Sequence, residues 1–404
     1  MDQSSSPLKN FTLSFQHVFA MFGATVLVPF LTGLNPSVAL FTAGIGTLIF
    51  HFITGRKVPV FLGSSFAFIP VIQLVAKNYG LPYATGALVA VGGVYVLMAI
   101  LVMVMGADKL QRFFPPIVTG PIIIVIGLIL APVAIDMASA NWTIALVTMA
   151  AVVLTSMIGR GFVKMIPILV GIGVGYAMSL AMGAVDFTAM IEAEFFAIPA
   201  FIRPVFSAQA MMIMAPVAIV TLMEHIGDIT TNGAVVGQDF IRDPGLQRTM
   251  LGDGIATAVA GLLGGPANTT YGENTGVLAI TKNYNPALLR GAAVIAIALS
   301  FLGKLGAFIQ TIPLAVMGGI SFILFGMIAS IGVKTLVDSK PDLADIRYSS
   351  VVFSILILGI ASIKGEGNQA VIRLSEYASL SGLSLAAVVG IALNAVFEFI
   401  APRK

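Results

Sequence analysis

The chain is a succession of apolar runs, and two of them are broken at corresponding places. PVFLGSSFAFIP spans residues 59–70 and GPANTTYGENTGVLAITK spans residues 265–282. Each mixes Pro, Gly and small hydroxyl residues into an otherwise apolar stretch, and each is the third such stretch of its half. Backbone that leaves helix geometry at membrane depth must find other partners for its N–H and C=O groups, so it survives only where it is packed in protein or lines a cavity. A matched pair of such breaks is the strongest sequence pointer to a transporter's binding site. The second break also carries Glu273, a carboxylate where a charge is costly.

The rest of the chain agrees with a membrane setting. It is 58% hydrophobic and 10% charged, with a mean hydropathy of +1.01, against about 25% charged residues in a soluble domain. There is no cysteine, which excludes disulfides, thiolate metal sites and cysteine nucleophiles. The polar start MDQSSSPLKN lacks the apolar stretch of a cleavable signal peptide. The net charge of +3 carries no implication of nucleic acid, because the basic residues sit in short loops between apolar runs.

A spanning helix needs about 20 residues. Fourteen segments are expected, near 11–31, 36–54, 59–76, 83–106, 114–135, 142–158, 164–183, 208–232, 249–264, 268–283, 286–303, 313–333, 347–363 and 382–401. Segments three and ten are expected as an extended stretch followed by a half-helix. With the N-terminus inside, 16 of the 21 Lys and Arg residues fall on the inside, among them Arg56, Lys57, Arg112, Arg242, Arg290, Arg403 and Lys404. Lys77, Arg203, Lys304, Lys364 and Arg373 fall outside. That asymmetry follows the positive-inside rule and places both termini in the cytoplasm. Fourteen divides into seven and seven, and an odd number per half inverts the second half in the membrane. Pro115 and Gly120 recur as Pro313 and Gly318 at an offset of 198, close to the offset of about 206 between the two breaks. The fold class expected is therefore an all-α polytopic membrane protein of two inverted seven-segment repeats.

Segment eight reads AIVTLMEHIGDITTNG. Glu224 and Asp228 are four residues apart and stack on one helix face. A charge at the centre of a span costs about 2.5–3.5 kcal/mol, so Glu224, Asp228 and Glu273 together would cost on the order of 8–10 kcal/mol if charged and unpaired. Protons, a bound cation, substrate or hydrogen bonds must offset that. Close carboxylates titrate as a coupled set, which suits them to carry protons. His225 points to another face and reads as a structural partner. Asp253, in LGDGIAT, reads as a residue near a helix start, and His17 as a packing histidine on an apolar helix.

The breaks offer a second tool. A half-helix start presents unpaired N–H groups and the positive end of the helix dipole. Ser65-Phe66 and Tyr271-Gly272 lie where such starts should fall, and Phe66 and Tyr271 bring flat aromatic faces. Carboxylates that accept from N–H, backbone that donates to C=O, and a ring to stack on together complement a small planar heterocycle.

The motifs identify a family. Glu273, Asn274, Gly276, Thr281 and Lys282 match the signature of the nucleobase–ascorbate transporters (nucleobase:cation symporter-2 family). Gln16-His17, LGSSFAF at 62–68 and NTTYGEN at 268–274 resemble the bacterial uracil-transporting branch most closely, over nearly the whole chain. The resemblance implies a substrate-binding core (11–107 and 208–304) and a gate (112–185 and 312–401) that also forms a homodimer. It implies that Glu224 and Glu273 grip the ring's N–H edge. Backbone N–H groups of Phe66 and Gly272 would meet its carbonyls, while Ala24, Ser65 and Tyr271 would line the pocket. Glu224, Asp228, Glu273 and His17 would couple transport to a proton. Carboxylates and unwound carbonyls serve Na⁺ as well, so sodium stands beside the proton as coupling ion. No further cofactor or metal is implied.

One position departs from the pattern. Bacterial uracil-transporting members have His where this chain has Asp228, whereas purine transporters have Asp there and keep an acid resembling Asp253. The purine branch commonly has Gln at the signature's first position, where this chain has Glu273. The expectation is a proton-coupled uracil importer in the cytoplasmic (inner) membrane. A xanthine or uric acid symporter is the first alternative and an anion transporter of the same architecture the second. No enzyme motif such as HExxH is present.

Overall fold

The computed structural model describes residues 7–106, 109, 114–361, 371–373 and 379–400. The expected inside charges Arg112, Arg403 and Lys404, the outside Lys364, and the domain limits at 107, 112 and 401 lie outside the described residues.

The elements run α1 (Pro7–Thr32), α2 (Pro36–Ile53), β1 (Leu62–Ser64), α3 (Ile69–Tyr79), α4 (Leu81–Met105), α5 (Pro116–Ile129), α6 (Ala131–Ser139), α7 (Trp142–Ile158), α8 (Pro167–Ala181) and the short α9 (Thr188–Glu192). They continue with α10 (Ala208–Met214), α11 (Val217–Val236), α12 (Leu246–Leu262), β2 (Asn268–Thr270), α13 (Gly272–Thr281), α14 (Pro286–Ser300), α15 (Gly303–Gln310) and α16 (Leu314–Ser339). The last are α17 (Ile346–Ala361), a two-stranded β3 (Val371–Arg373) and β4 (Ser379–Ser381), and α18 (Gly382–Ile400). Among the described residues, six helices or helix pairs are long and apolar enough to cross a membrane, and five shorter apolar helices accompany them.

Local chemistry sets the helix starts. Asn35 Oδ1 accepts from the N–H groups of Ser37 and Val38, with Pro36 at the first helical position of α2. Asn141 caps α7 through Thr143 and Ile144, and Asn285 caps α14 through Ala287. Such caps satisfy N–H groups that the helix itself leaves open, and in lipid no water would do so. The expected segment five is two helices, α5 and α6, meeting at Leu130, with Pro132 in the first turn of the second. Segment eight is likewise α10 and α11, meeting at Ala215–Pro216.

Two bundles emerge from the packing. In one, α4 runs along α12, α2 runs along both α12 and α14, and α1 lies on α14. In the other, α16 runs along α5, α6 and α7, α17 lies against α5 and α18, and α7 lies against α8. Helices in lipid gain nothing from hiding apolar surface from one another, so close backbone approach at small residues does the work. A Cβ on Gly92 of α4 would fall 2.5 Å from the carbonyl oxygen of Gly254 on α12. One on Gly332 of α16 would fall 2.5 Å from the carbonyl oxygen of Gly120 on α5.

The two breaks meet. β1 pairs antiparallel with β2, with Leu62 opposite Thr270, Gly63 opposite Thr269 and Ser64 opposite Asn268. All six residues are buried. The ladder extends past both strands, because Ser65 N donates to Ala267 O (2.8 Å) and Tyr271 N donates to Phe61 O (3.0 Å). Each strand thereby supplies the partners that the other's backbone lost on leaving helix geometry. A single turn of 3₁₀ helix (Phe66–Phe68) then leads into α3, and Tyr271 is the extended residue that opens α13. In both breaks the backbone passes directly from strand to helix.

Candidate functional site

Gly63 lets the crossing close. A Cβ there would lie 2.2 Å from Cζ of Tyr271, so only glycine leaves room for the ring over β1. The Tyr271 hydroxyl donates to Ser64 O (3.0 Å) and receives from Thr25 Oγ1 (3.5 Å), while Ser64 Oγ donates to Thr25 O (3.1 Å). These bonds fix α1, β1 and the start of α13 together. Asn268 braces the crossing from behind, its Nδ2 donating to Thr42 O and Ala256 O. Thr47 of α2 and Thr257 of α12 each bond a strand: Leu62 N donates to Thr47 Oγ1 (2.9 Å) and Asn268 N to Thr257 Oγ1 (3.2 Å).

α11 brings one polar face to this crossing. Glu224, Asp228 and Asn232 follow at intervals of four and share that face. Asn232 Nδ2 donates to Pro59 O and to Thr275 Oγ1, both at 3.1 Å. Asp228 Oδ2 accepts from Thr270 Oγ1 (2.9 Å). Glu224 Oε2 and Asn232 Oδ1 are buried and have no partner among the described residues, and of the two only Glu224 is a carboxylate. Glu224, Asp228, Gly272 and Glu273 are all partly exposed amid buried neighbours, so they border an opening. Glu224 lies near enough to Asp228, Asp253 and Glu273 to feel their charge. The hydroxyl of Ser65, at the other half-helix start, is buried and unpartnered too.

The opposite wall comes from the second bundle. A Cβ on Gly272 would have room, its nearest neighbour being Ile331 Cδ1 of α16 at 3.9 Å, and one on Gly227 would stand 3.9 Å from Ile123 Cδ1 of α5. The Phe66 ring meets Phe325 of α16 edge to face, with centroids 5.9 Å apart. Ala24, Phe66 and Tyr271 belong to one buried apolar cluster. The structure thus gathers Ala24, Ser65, Phe66, Glu224, Asp228, Tyr271, Gly272 and Glu273 around the crossing. The start of α13 is a helix of ten residues whose first N–H groups lack intrahelical partners and carry the positive end of the dipole. Donors from backbone and acceptors from carboxylates therefore border the same space.

His17 is fully buried and holds α1 to α13, since Asn274 Nδ2 donates to His17 O (3.0 Å) and lies 3.2 Å from its Nδ1. Asp253 is not near a helix start. It lies in the middle of α12, because α12 already begins at Leu246 after Pro244–Gly245. There it pairs with His225 of α11, Nδ1 to Oδ2 at 3.0 Å, both side chains fully buried. Asp253→Ala is expected to destabilise the protein by about 1–3 kcal/mol, the cost of a buried polar group left alone. Asp253→Asn, which can still bond His225, should cost much less. Thermal unfolding in detergent checks both, and equal stability of Asp253→Ala and the parent would contradict the pairing.

Sequence reasoning missed Asn232, Thr270 and Thr275. The spacing of Asn232, eight residues beyond Glu224 on the same face, was a usable signal. Thr270 and Thr275 become visible only once the strands are paired.

Over residues 8–368 the chain matches the sequence profile of the permease family. It is 47% identical over 402 residues to the uracil permease of Bacillus caldolyticus, covering 95% of this chain and 91% of that one. It is 44% identical over 404 residues to a probable uracil permease of Haemophilus influenzae (98% and 95%). The uracil permease of Escherichia coli K12 is 43% identical over 405 residues (97% and 92%). Among solved structures, the transmembrane domain of the cyanobacterial bicarbonate transporter BicA shares the fold with a TM-score of 0.65, at 17% identity and 96% coverage of each chain. The murine solute carrier 26 family member A9 anion transporter, in its inward-facing state, gives a TM-score of 0.72 at 11% identity, covering 99% of this chain and 69% of that one.

Proposed function

The chain belongs to the permease family and is a multi-pass membrane transporter rather than an enzyme, and from that premise we propose that it imports uracil together with a proton. The observation that carries the reading is the unpartnered buried oxygen of Glu224 beside the start of α13. Glu224 and Glu273 accept from the two ring N–H groups of uracil. The backbone N–H groups of Phe66 and Gly272 donate to its carbonyls, and Ala24, Ser65, Phe66 and Tyr271 enclose the ring. The near full-length relatives named uracil permease support the substrate. The three carboxylates disfavour an anion, although the structural neighbours carry anions by their titles.

The carrier works by alternating access between a core, residues 11–107 and 208–304, and a gate, residues 112–185 and 312–401. The grouping of α1, α2, α4, α12 and α14 apart from α5–α8 and α16–α18 supports this division. Fourteen segments form two inverted repeats. Exchange of the halves turns the pair α4–α12 into α14–α2, α5–α17 into α16–α7, and α7–α8 into α17–α18, and every one of these packs. The protein sits in the cytoplasmic membrane with both termini inside, as a homodimer through its gate. Glu224, Asp228 and Glu273 hold the transported proton, with His17 placed to influence Glu273 through Asn274. One pH unit contributes about 1.4 kcal/mol per proton and 100 mV about 2.3 kcal/mol per charge. Together they support a few-hundred-fold accumulation.

Labelled-uracil uptake into proteoliposomes tests the whole reading, with and without an inward proton gradient, with sodium replacing it, and with unlabelled xanthine, uric acid and thymine as competitors. Proton-driven uptake that the purines do not inhibit supports it. Transport of xanthine or uric acid instead would assign Asp228 and Asp253 the deciding influence over Glu273. Asp228→Asn keeps an oxygen for Thr270 but loses the titrating group. It is expected to lower gradient-driven accumulation several-fold while uracil binding changes little. An unaltered pH profile of uptake would remove Asp228 from the coupling path.

A further inference from the structure

The connection between α8 and α10 is rich in large apolar residues that the protein does not bury. Phe195 is 62% exposed, Phe196 68%, Ile198 79%, Ile191 75% and Phe206 55%. This is a fixed surface. Ala197 N donates to Phe301 O (2.9 Å) and Gly303 N to Phe195 O (3.0 Å), forming a bridge between Phe196 and Leu302. Lys304 Nζ donates to the carbonyls of Met190 and Ile191 at the end of α9 (2.6 and 3.1 Å). Val205 N donates to Pro82 O (2.9 Å), at the first turn of α4. The Phe201 ring meets Phe41 of α2 edge to face at 5.2 Å. Every tether leads to the bundle that holds the strand crossing.

We propose that residues 186–207 form a strap lying in the membrane–water interface, with Phe195, Phe196, Ile198 and Phe206 seated among lipid acyl chains just below the headgroups. The occupant follows from continuity. The exposed apolar faces of the neighbouring elements, such as Val294 on α14 and Leu262 on α12, belong to the lipid-facing exterior of a multi-pass protein. The strap is bonded to the ends of α4 and α14 and prolongs that exterior. Its apolar residues alternate with the exposed polar Asp186, Glu192, Glu194 and Arg203, the two-sided composition of a segment that sits in the interface rather than across the bilayer. The Lys304 contacts satisfy carbonyls at the end of α9 that lie close to the acyl region, where water is scarce. The strap would float the bundle that carries the carboxylates at a set depth.

The test is fluorescence. Trp142 is the single tryptophan, and Trp142→Phe gives a dark background whose uracil uptake is checked first. Phe196→Trp and, separately, Ile198→Trp are placed in that background and reconstituted in phosphatidylcholine brominated near the carbonyl end of its acyl chains. The expected result is loss of most of the emission at both positions, with little quenching by aqueous iodide. Quenching by iodide and not by the brominated lipid would place the strap in water and overturn the proposal. Quenching by neither would mean that protein, such as a second copy of the chain, covers the surface, and would overturn it equally.

Discussion

Glu224→Gln is expected to weaken uracil binding by about 10–100-fold, because a hydrogen bond to a charged group contributes about 1.5–3 kcal/mol and 1.4 kcal/mol is tenfold in affinity. Of the two carboxylates on its face of α11, Glu224 is the one with a spare buried oxygen. Asp228 is engaged by Thr270, and Asn232 by Pro59 and Thr275. The exchange is nearly isosteric, so the fold should persist and thermal stability without ligand should match the parent. Gradient-driven uptake should fall to background, since a proton carrier is lost along with the contact. Glu273→Gln should also collapse uptake, by removing the second acceptor at the start of α13. Uptake and direct binding measured on both variants decide the matter. Normal transport by both would dismantle the proposed pocket.

Gly63→Ala should be as damaging by a different route. Its Cβ would lie 2.2 and 2.3 Å from two ring carbons of Tyr271 and 2.7 Å from the hydroxyl. The ring cannot yield cheaply, because its hydroxyl is bonded to Ser64 and Thr25 and its backbone to Phe61. Overpacking of this kind costs about 1–3 kcal/mol and sometimes more, and here it would push the first residue before α13 out of place. Thermal stability should drop, and added uracil should no longer raise it. Combining Gly63→Ala with Tyr271→Ala removes the clash, so stability should partly return while uracil still fails to stabilise. Parent-like stability and uptake in Gly63→Ala would show that the crossing is looser than drawn.

Much of this was legible in the residues. The interruptions at 59–70 and 265–282 announced extended backbone before a half-helix, since Pro, Gly and hydroxyl residues there oppose continuous helix. The expected segment starts at 142 and 286 coincide with the starts of α7 and α14. Other features depend on which helices touch. The bond between His225 and Asp253 joins positions 28 apart, and nothing in either helix's own pattern requires it. LGDGIAT looks like a helix start because Gly and Asp favour ends, but close packing of α12 on α4 at Gly254 and Gly92 selects small residues mid-helix instead. The mutual pairing of the two breaks lay beyond single-segment reasoning, because each break shows only that it needs a partner.

That pairing has a consequence for how the protein is made. β1 leaves the ribosome 206 residues ahead of β2, a delay of about 10–40 s at ordinary synthesis rates. Throughout that interval a strand edge destined for the membrane interior has no mate, in a medium that offers it no hydrogen bonds. The first half must therefore wait with its edge sheltered, by the insertion machinery or at the bilayer surface, until the second half arrives. The crossing that holds the carboxylates cannot close until about two-thirds of the 404 residues have been made.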